Sequence, residues 1–453
     1  MKINLGFMVT GSEHFDPRYA QATRAAALGF LSTLPVRLVP VDGVVTGMEE
    51  VAVEVEKLKR EDLDLLIMLP GSFTWDNIPS YVAQHLPGAE LMLWAVPEPP
   101  MDGGMLNVNS LCSVMMNGAA LGKLGHRFRF VYGTPEDARV SEPIRRMVRV
   151  MGALKTLAHT RMGLAGYRPI GFYGSTFNEL GIRKILGIEM EHIGLTDIMD
   201  AYHAVAESAV TADQAAMAAA GHRRGDAKEE GLANSSRMYL AVKHCIEERR
   251  LGALALKCWP ELFAKDLLPC VANSRLGDEG IPVACEGDVH GLVTQLMQAS
   301  LTGRPTFFCD LVDVDERRNA VFMWHCGACP SQMSKGSGAA SLGNQPSRRE
   351  EWKLSCPIIE FPLRPGRVTI ARFCELGGKY RLFLAAGGAL DIGQDMRGNC
   401  SWVRLDADAR RTIEYIVANH VEHHFSLAYG DLVDDLVEMC RLRGIEPLVV
   451  PKS

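Results

Sequence analysis

Apolar residues follow two rhythms along this chain. In the first third, unbroken apolar runs at residues 2–9, 63–69, 90–96 and 128–133 read as buried strands. Between them, residues 20–31 and 48–59 carry apolar positions three and four apart, the spacing of an amphipathic helix. Strands alternating with helices predict a parallel sheet in a doubly wound layer structure. The alternation resumes with strands expected at 167–173, 188–193, 253–258 and 281–285. Helices are expected at 234–249, capped by Asn234 or Ser235, and at 289–301, stopped by Gly303. Residues 211–230, rich in Ala, Gly and charge, read as a helix followed by an exposed loop. Beyond residue 303, strands at 306–310, 320–325, 357–361, 367–373 and 380–385 succeed one another without long helices, as in an antiparallel, barrel-like unit. Residues 336–347, rich in Gly and Ser, read as a mobile loop; helices at 408–418 and 431–442 and a strand at 446–450 close the chain. The expected fold class is α/β: two doubly wound, Rossmann-like parallel-sheet domains (1–160 and 161–303), then a mostly antiparallel β-barrel-like domain (304–453).

The 453 residues exceed one ordinary core, in keeping with several domains. The net charge of −6, without runs of like charge, points away from nucleic acid or an anionic membrane as partner. The first residues lack the long apolar core and small-residue cleavage site of a secretion signal, and no stretch is long and apolar enough to span a membrane. Twelve cysteines, many of them inside apolar runs (Cys112, Cys258, Cys285, Cys309), suit reduced core thiols, so a cytoplasmic protein is expected.

The chemistry concentrates between residues 281 and 331. Cys285-Glu286-Gly287-Asp288 comes directly after an apolar strand, and a carboxylate there faces the crevice where α/β sheets bind ligands. Asp310 ends the apolar run PTFFCD, and His325 ends AVFMWH. His423-His424 come near the C-terminus, just after Asn419-His420. Two carboxylates and imidazole suit Mn²⁺, with Zn²⁺, Co²⁺ and Fe²⁺ also open. A metal so held polarises a carbonyl while a neighbouring carboxylate moves a proton between adjacent carbons. Taken singly, each residue has an ordinary reading: a strand-end carboxylate caps helices, and a buried histidine is more often a satisfied core residue than a ligand. Cys326-x-x-Cys329 is half a zinc site with no second half nearby, and Gly174-Ser175-Thr176 lacks a phosphate-loop pattern.

Read together, these segments resemble the L-fucose/L-arabinose isomerase superfamily. Glu286 in its E-G-D context and Asp310, 24 residues on, match the two carboxylates of the fucose branch. His325 with the C-x-x-C-P-S after it is similar to an arabinose-branch segment, one residue shorter here. Residues 421–431, VEHHFSLAYGD, resemble the family's terminal metal-histidine motif. Asn419 precedes His423 by four residues, as in the fucose branch; the arabinose branch favours His424. Residues 9–14 and 107–111 resemble N-terminal stretches of the family. The tail beyond Pro357 is much shorter than in L-fucose isomerases.

The resemblance implies Glu286, Asp310 and His423 or His424 as metal ligands, with His325 a further ligand or a neighbour of one. It implies proton transfer through a cis-enediol by Glu286 on one face and Asp310 opposite. Trp259 and Glu261 would line the sugar pocket beside Asn419. His14 and Trp75 would reach a neighbouring subunit's site in a homotrimer or homohexamer. The function expected is a metal-dependent aldose–ketose isomerase acting on a free or modified monosaccharide, anionic sugars included. The alternative is a cytoplasmic sugar-binding or regulatory homologue without catalysis. A nucleotide-dependent oxidoreductase lacks its Gly-rich fingerprint here.

Overall fold

A computed structural model describes residues 1–100, 103–219, 223–336, 338–345 and 354–450. The chain divides into two compact units, Met1–Lys155 and Thr156–Ser453. The first is a five-stranded parallel sheet of β1 (Asn4–Thr10), β2 (Arg37–Pro40), β3 (Leu65–Pro70), β4 (Glu90–Ala95) and β5 (Phe128–Tyr132), in the order β2-β1-β3-β4-β5. Residues of β1 and β3 are buried almost without interruption, which is why both read as continuous apolar runs. Helix Pro17–Leu31 begins where Asp16 accepts the Arg18 N–H at 2.9 Å and Pro17 presets the first turn. Helix Met48–Leu58 turns Val51, Val55 and Leu58 inward, the stripe its spacing predicts. The short, half-exposed β2 carries too little apolar signal to be read from sequence.

The second unit holds two sheets. Strands β6 (Arg161–Ala165), β7 (Glu189–Ile193), β9 (Ala253–Leu256) and β10 (Val283–Cys285) form a parallel sheet in the order β10-β9-β6-β7; β8 (Arg223–Arg224) lies outside it. Helix Glu229–Glu248 packs Tyr239, Val242 and Ile246 into the core under this sheet with Leu254 and Leu256.

The remaining strands are β11 (Phe307–Asp315), β12 (Ala320–His325), β13 (Ser341–Asn344), β14 (Pro357–Pro362), β15 (Gly366–Leu376), β16 (Lys379–Ala389), β17 (Asn399–Leu405), β18 (His424–Tyr429) and β19 (Glu446–Val449). Six of them close a barrel in the order β16-β15-β18-β11-β12-β17, with β17 pairing back onto β16, all antiparallel. Its interior is apolar, with Phe307, Val321, Met323, Val368, Ile370, Phe383 and Phe425. Strands β8, β13, β14 and β19 extend it. The architecture is the expected one: two parallel α/β sheets and then an antiparallel barrel.

Three expectations are corrected. The strand at 167–173 lies earlier, as β6; Gly166 turns the chain at φ +81°, and the backbone continues as a loop with a tight helical turn at Tyr173–Ser175. Helix Glu229–Glu248 begins more than a turn before Asn234, with Lys228 at the N-cap position. The loop expected at 336–347 contains β13, which pairs with β14 over Ser341–Asn344; residues 337, 346 and 347 lie outside the described residues, as do 220–222 of the segment expected at 211–230. Among the described residues, no helix is long and apolar enough to cross a membrane, and all twelve cysteines are free thiols.

Candidate active site

At the end of β10 the backbone enters a left-handed turn of two residues, with Glu286 at φ +62° and Gly287 at φ +63°. This conformation costs a side-chain-bearing residue about 1–2 kcal/mol, so the turn is a place where geometry outweighs local comfort. It carries the Glu286 carboxylate off the end of the sheet. Gly287 is confined: a Cβ there would lie 2.4 Å from the Tyr167 carbonyl oxygen. Gly287→Ala is therefore expected to push the 167–168 backbone away and displace Glu286. A drop in melting temperature together with weakened divalent-metal binding would check this; wild-type metal affinity in the variant would contradict it.

The next residue, Asp288, is fully buried and caps helix Val289–Thr302 through the Gly291 N–H at 2.9 Å. The barrel supplies the partners. Asp310 of β11 stands opposite His424 of β18 in the antiparallel register, which brings two residues 114 positions apart side by side. His325 ends β12, whose neighbour Trp324 pairs with Asp310 on its other side.

His424 is the hub. Its Nε2 lies 3.4 Å from Glu286 Oε2 and 3.5 Å from Asp310 Oδ1, and its Nδ1 lies 2.9 Å from Asp288 Oδ2. Asp288 thus fixes the ring so that Nε2 faces the other two carboxylates, the arrangement that orients ligating histidines. Burial alone would hold the imidazole neutral, but Asp288 and Glu286 outweigh it and push its pKa up to about 10. Burial also works against ionising Glu286, yet His424, His325 and His423 beside it keep its pKa below the usual carboxylate value. Asp288 is anchored in turn by the fully buried Arg372, whose Nη1 reaches Oδ2 at 2.5 Å and whose Nη2 reaches Oδ1 at 3.2 Å. Desolvation opposes the Asp288 charge, and Arg372 with His424 overcomes it, holding the carboxyl well below its ordinary pKa. Arg372 also pairs with Glu422.

Donor atoms of Glu286, His325 and His424 lie within 4.8 Å of one another, as do those of Asp310, His423 and His424. First-row metal–ligand bonds of about 2.0–2.2 Å place neighbouring donors roughly 3–4 Å apart, so either group, each built on His424, fits a divalent ion with modest adjustment. His424, buried and oriented, is the better-held histidine; His423 is exposed. The wall is aromatic. Phe308 lies 4.6 Å from the His424 ring and 5.4 Å from His325, and Phe172 stands edge-on to Trp259 (5.5 Å) and His423 (5.6 Å). Trp259 therefore belongs to the site's surroundings through Phe172.

Other expected residues sit differently. Glu261 is held by Lys257 at 2.6 Å, and Asn419 donates to Tyr415 O at 2.8 Å at the end of its own helix. His14 and Trp75 lie in the first unit, both exposed, just past the carboxyl ends of β1 and β3. In the order β2-β1-β3-β4-β5 these strands flank the point where the winding reverses, the usual ligand edge of such a sheet. Buried hydroxyls line that edge, with Thr74 donating to Thr10 Oγ1 at 2.8 Å and the Ser12 N–H to Ser72 Oγ at 3.1 Å. Cys326 and Cys329 diverge: Cys326 faces His325 Nδ1 (3.4 Å) and Cys270 (4.0 Å), while Cys329 faces Met333.

Sequence reasoning missed the roles of Asp288, Arg372, Glu422, Phe172 and Phe308. Arg372 had a signal, a lone cation inside the apolar strand VTIARFC. The two phenylalanines had none, since their apolar runs look like any core.

No protein-family model matches the chain. It is similar over nearly its whole length to curated proteins named sulfoquinovose isomerase. That of Priestia aryabhattai is 28% identical over 448 residues, covering 98% of each chain. That of Clostridium sp. (strain MSTE9) is 28% identical over 450 residues, again 98% of each. That of Alkalicoccus urumqiensis is 29% identical over 359 residues, 78% of each. Among solved structures, a substrate-binding protein of a sugar ABC transport system from Bordetella parapertussis aligns over 80% of this chain and 88% of its own at 12% identity, with a TM-score of 0.17, too low to bear on fold or function.

Proposed function

We propose that this chain is a divalent-metal-dependent aldose–ketose isomerase of the L-fucose/L-arabinose isomerase type, with Mn²⁺ as its metal and a sulfonated aldose, sulfoquinovose, as its substrate. One observation carries the reading: Glu286 and Asp310, from different sheets, converge on a His424 Nε2 whose opposite nitrogen is locked by Asp288. The full-length similarity to sulfoquinovose isomerases supports the substrate class. Glu286, Asp310 and His424 hold the metal, with His325 or His423 completing the set. When bound, the ion polarises the sugar carbonyl and its neighbouring hydroxyl. Glu286 and Asp310, on opposite faces of the substrate, then move the protons. One carboxylate takes the C2 proton to give the cis-enediol, exchanges it with solvent and gives a proton to C1, while the hydroxyl proton passes from O2 to O1. The aromatic wall of Phe172, Trp259 and Phe308 keeps water from the intermediate. Exposed His14 and Trp75, at the ligand edge of the first unit's sheet, serve a neighbouring subunit's site in a trimer or hexamer.

The test is conversion of sulfoquinovose to its ketose, monitored by ¹³C NMR, with Mn²⁺ and with EDTA. The reading expects a new hemiketal C2 signal of the ketose only with metal. Metal bound at one ion per chain without conversion would point to another sugar. Neither binding nor conversion would leave the sugar-binding or regulatory homologue.

Charge gives a second expected outcome. His424 is protonated at pH 7.5 in the metal-free protein, because its pKa is raised from 6.5 to about 10, whereas a metal takes the neutral ring. Metal binding is therefore expected to release about one proton from His424 at pH 7.5, and a second where His325, whose pKa is also raised to about 9, completes the set, and to tighten as pH rises toward 10. Calorimetry in buffers of different ionisation enthalpy measures the release, and a count of zero would contradict the assignment.

A further inference from the structure

Carboxylates crowd the candidate site, so an anionic substrate needs a cation that none of them has claimed. Of the basic residues bordering it, Arg372 is committed to Asp288 and Glu422, and Lys257 to Glu261. Arg168 is different. It lies three residues past β6, which adjoins β9 in the parallel sheet that ends in Glu286, so its loop leaves from the same edge. The loop is pressed on the site along its length. The Tyr167 carbonyl and the Arg168 N–H back onto Gly287, at 2.4 and 3.4 Å from where a Cβ would sit, and Phe172 faces His423 and Trp259. A Cβ on Gly174 would lie 3.4 Å from Glu422.

The Arg168 guanidinium lies over two exposed rings, 5.4 Å from the centre of Tyr167 and 4.9 Å from that of Tyr173. Among the described residues its one side-chain hydrogen bond is long, Nη1 to Pro169 O at 3.4 Å. Its Nε–H is buried with no hydrogen-bond partner, and among the described residues it makes no ion pair. A guanidinium held over two rings, with no ion pair and only one long hydrogen bond on its Nη groups, is suited to take an oxyanion through those end N–H donors.

We propose that Arg168 is the residue that recognises the anionic substituent, binding the sulfonate at the end of the sugar remote from the reacting carbons, with Tyr167 and Tyr173 holding its plane. This rests on the isomerase reading of the site and adds its specificity determinant. The shared chemistry is a tetrahedral oxyanion on C6, from a sulfonate or a phosphate ester.

The test compares wild type, Arg168→Gln and Arg168→Lys with sulfoquinovose, glucose 6-phosphate and glucose, by calorimetric binding and by isomerisation with Mn²⁺. Arg168→Gln is expected to weaken sulfoquinovose binding and raise its KM about 10–100-fold, the worth of a charged hydrogen-bonded pair, with kcat little changed. Arg168→Lys recovers part of the loss, and neither variant alters the weak response to glucose. Wild-type preference for sulfoquinovose over glucose 6-phosphate assigns the site to sulfonate; the reverse assigns it to phosphate and overturns the sulfonate assignment. Equal losses on glucose would show a structural role and overturn the proposal, as would undiminished sulfoquinovose binding in Arg168→Gln or no binding by wild type. Arg168-dependent binding without turnover would overturn the isomerase reading and leave the anion site standing.

Discussion

Glu286→Gln and Asp310→Asn are each expected to lower kcat/KM for aldose–ketose conversion by about 10²–10⁴-fold, the contribution of a positioned general acid or base. Both amides keep the shape of the carboxylate they replace. Both carboxylates are reachable, with side chains 18% and 27% exposed, so the fold should tolerate the exchange. Two effects add. An amide does not accept the C2 proton, and it is a poorer ligand for a hard cation. They separate experimentally: metal content against pH reports the ligand role, and turnover at saturating Mn²⁺ reports the proton-transfer role. Circular dichroism and the melting temperature should match wild type. Retention of turnover within about tenfold in both variants would remove these residues from the chemistry.

The second large effect concerns stability. Arg372 is fully buried between Asp288 and Glu422. Such an ion group adds little net stability against an apolar replacement of the whole set, but deleting one member strands the others. Burial already pushes the Glu422 pKa up even with Arg372 beside it, a sign of how little water reaches this position. Arg372→Met is expected to cost about 3–5 kcal/mol, read as a fall of several degrees in the melting midpoint. Metal affinity should fall with it, because Asp288 loses the partner that sets its position against His424 Nδ1. Arg372→Lys keeps the charge but not the fork and should fall between the two. A loss below about 1 kcal/mol would mean that Asp288 is held by its helix cap and His424 without Arg372.

The parts of the fold legible in the sequence are those where burial is symmetric and local. The strands β1, β3 and β12 are apolar on both faces and announce themselves; the apolar run of β12 predicts its observed ends. Strand β18 is hidden because HFSLAY begins with a histidine that serves the site and contains a buried serine. Strand β17, NCSWVRL, mixes buried Asn399 and Ser401 with exposed Arg404, so neither rhythm shows. At the site, Glu286, Asp310 and His325 stand out because charged and imidazole groups at the ends of apolar runs are unusual, and His423-His424 stand out as an adjacent pair without a choice between them. Their convergence does not, since it depends on the β11–β18 register, which only the closed barrel imposes. Asp288 belongs to the E-G-D run and reads as an ordinary helix cap. Its partnership with His424 and Arg372 spans 136 and 84 positions and leaves no local trace.

The central claim is that Glu286 and Asp310 move a proton between adjacent carbons of an aldose through a cis-enediol. The most direct measurement is isomerisation of sulfoquinovose in deuterated water with Mn²⁺, with the ketose product probed at C1 by NMR. The account predicts deuterium at C1 of the ketose, dependent on metal and lost with Glu286→Gln. Ketose formed equally well by the Glu286→Gln protein, or at full rate without metal, would contradict it.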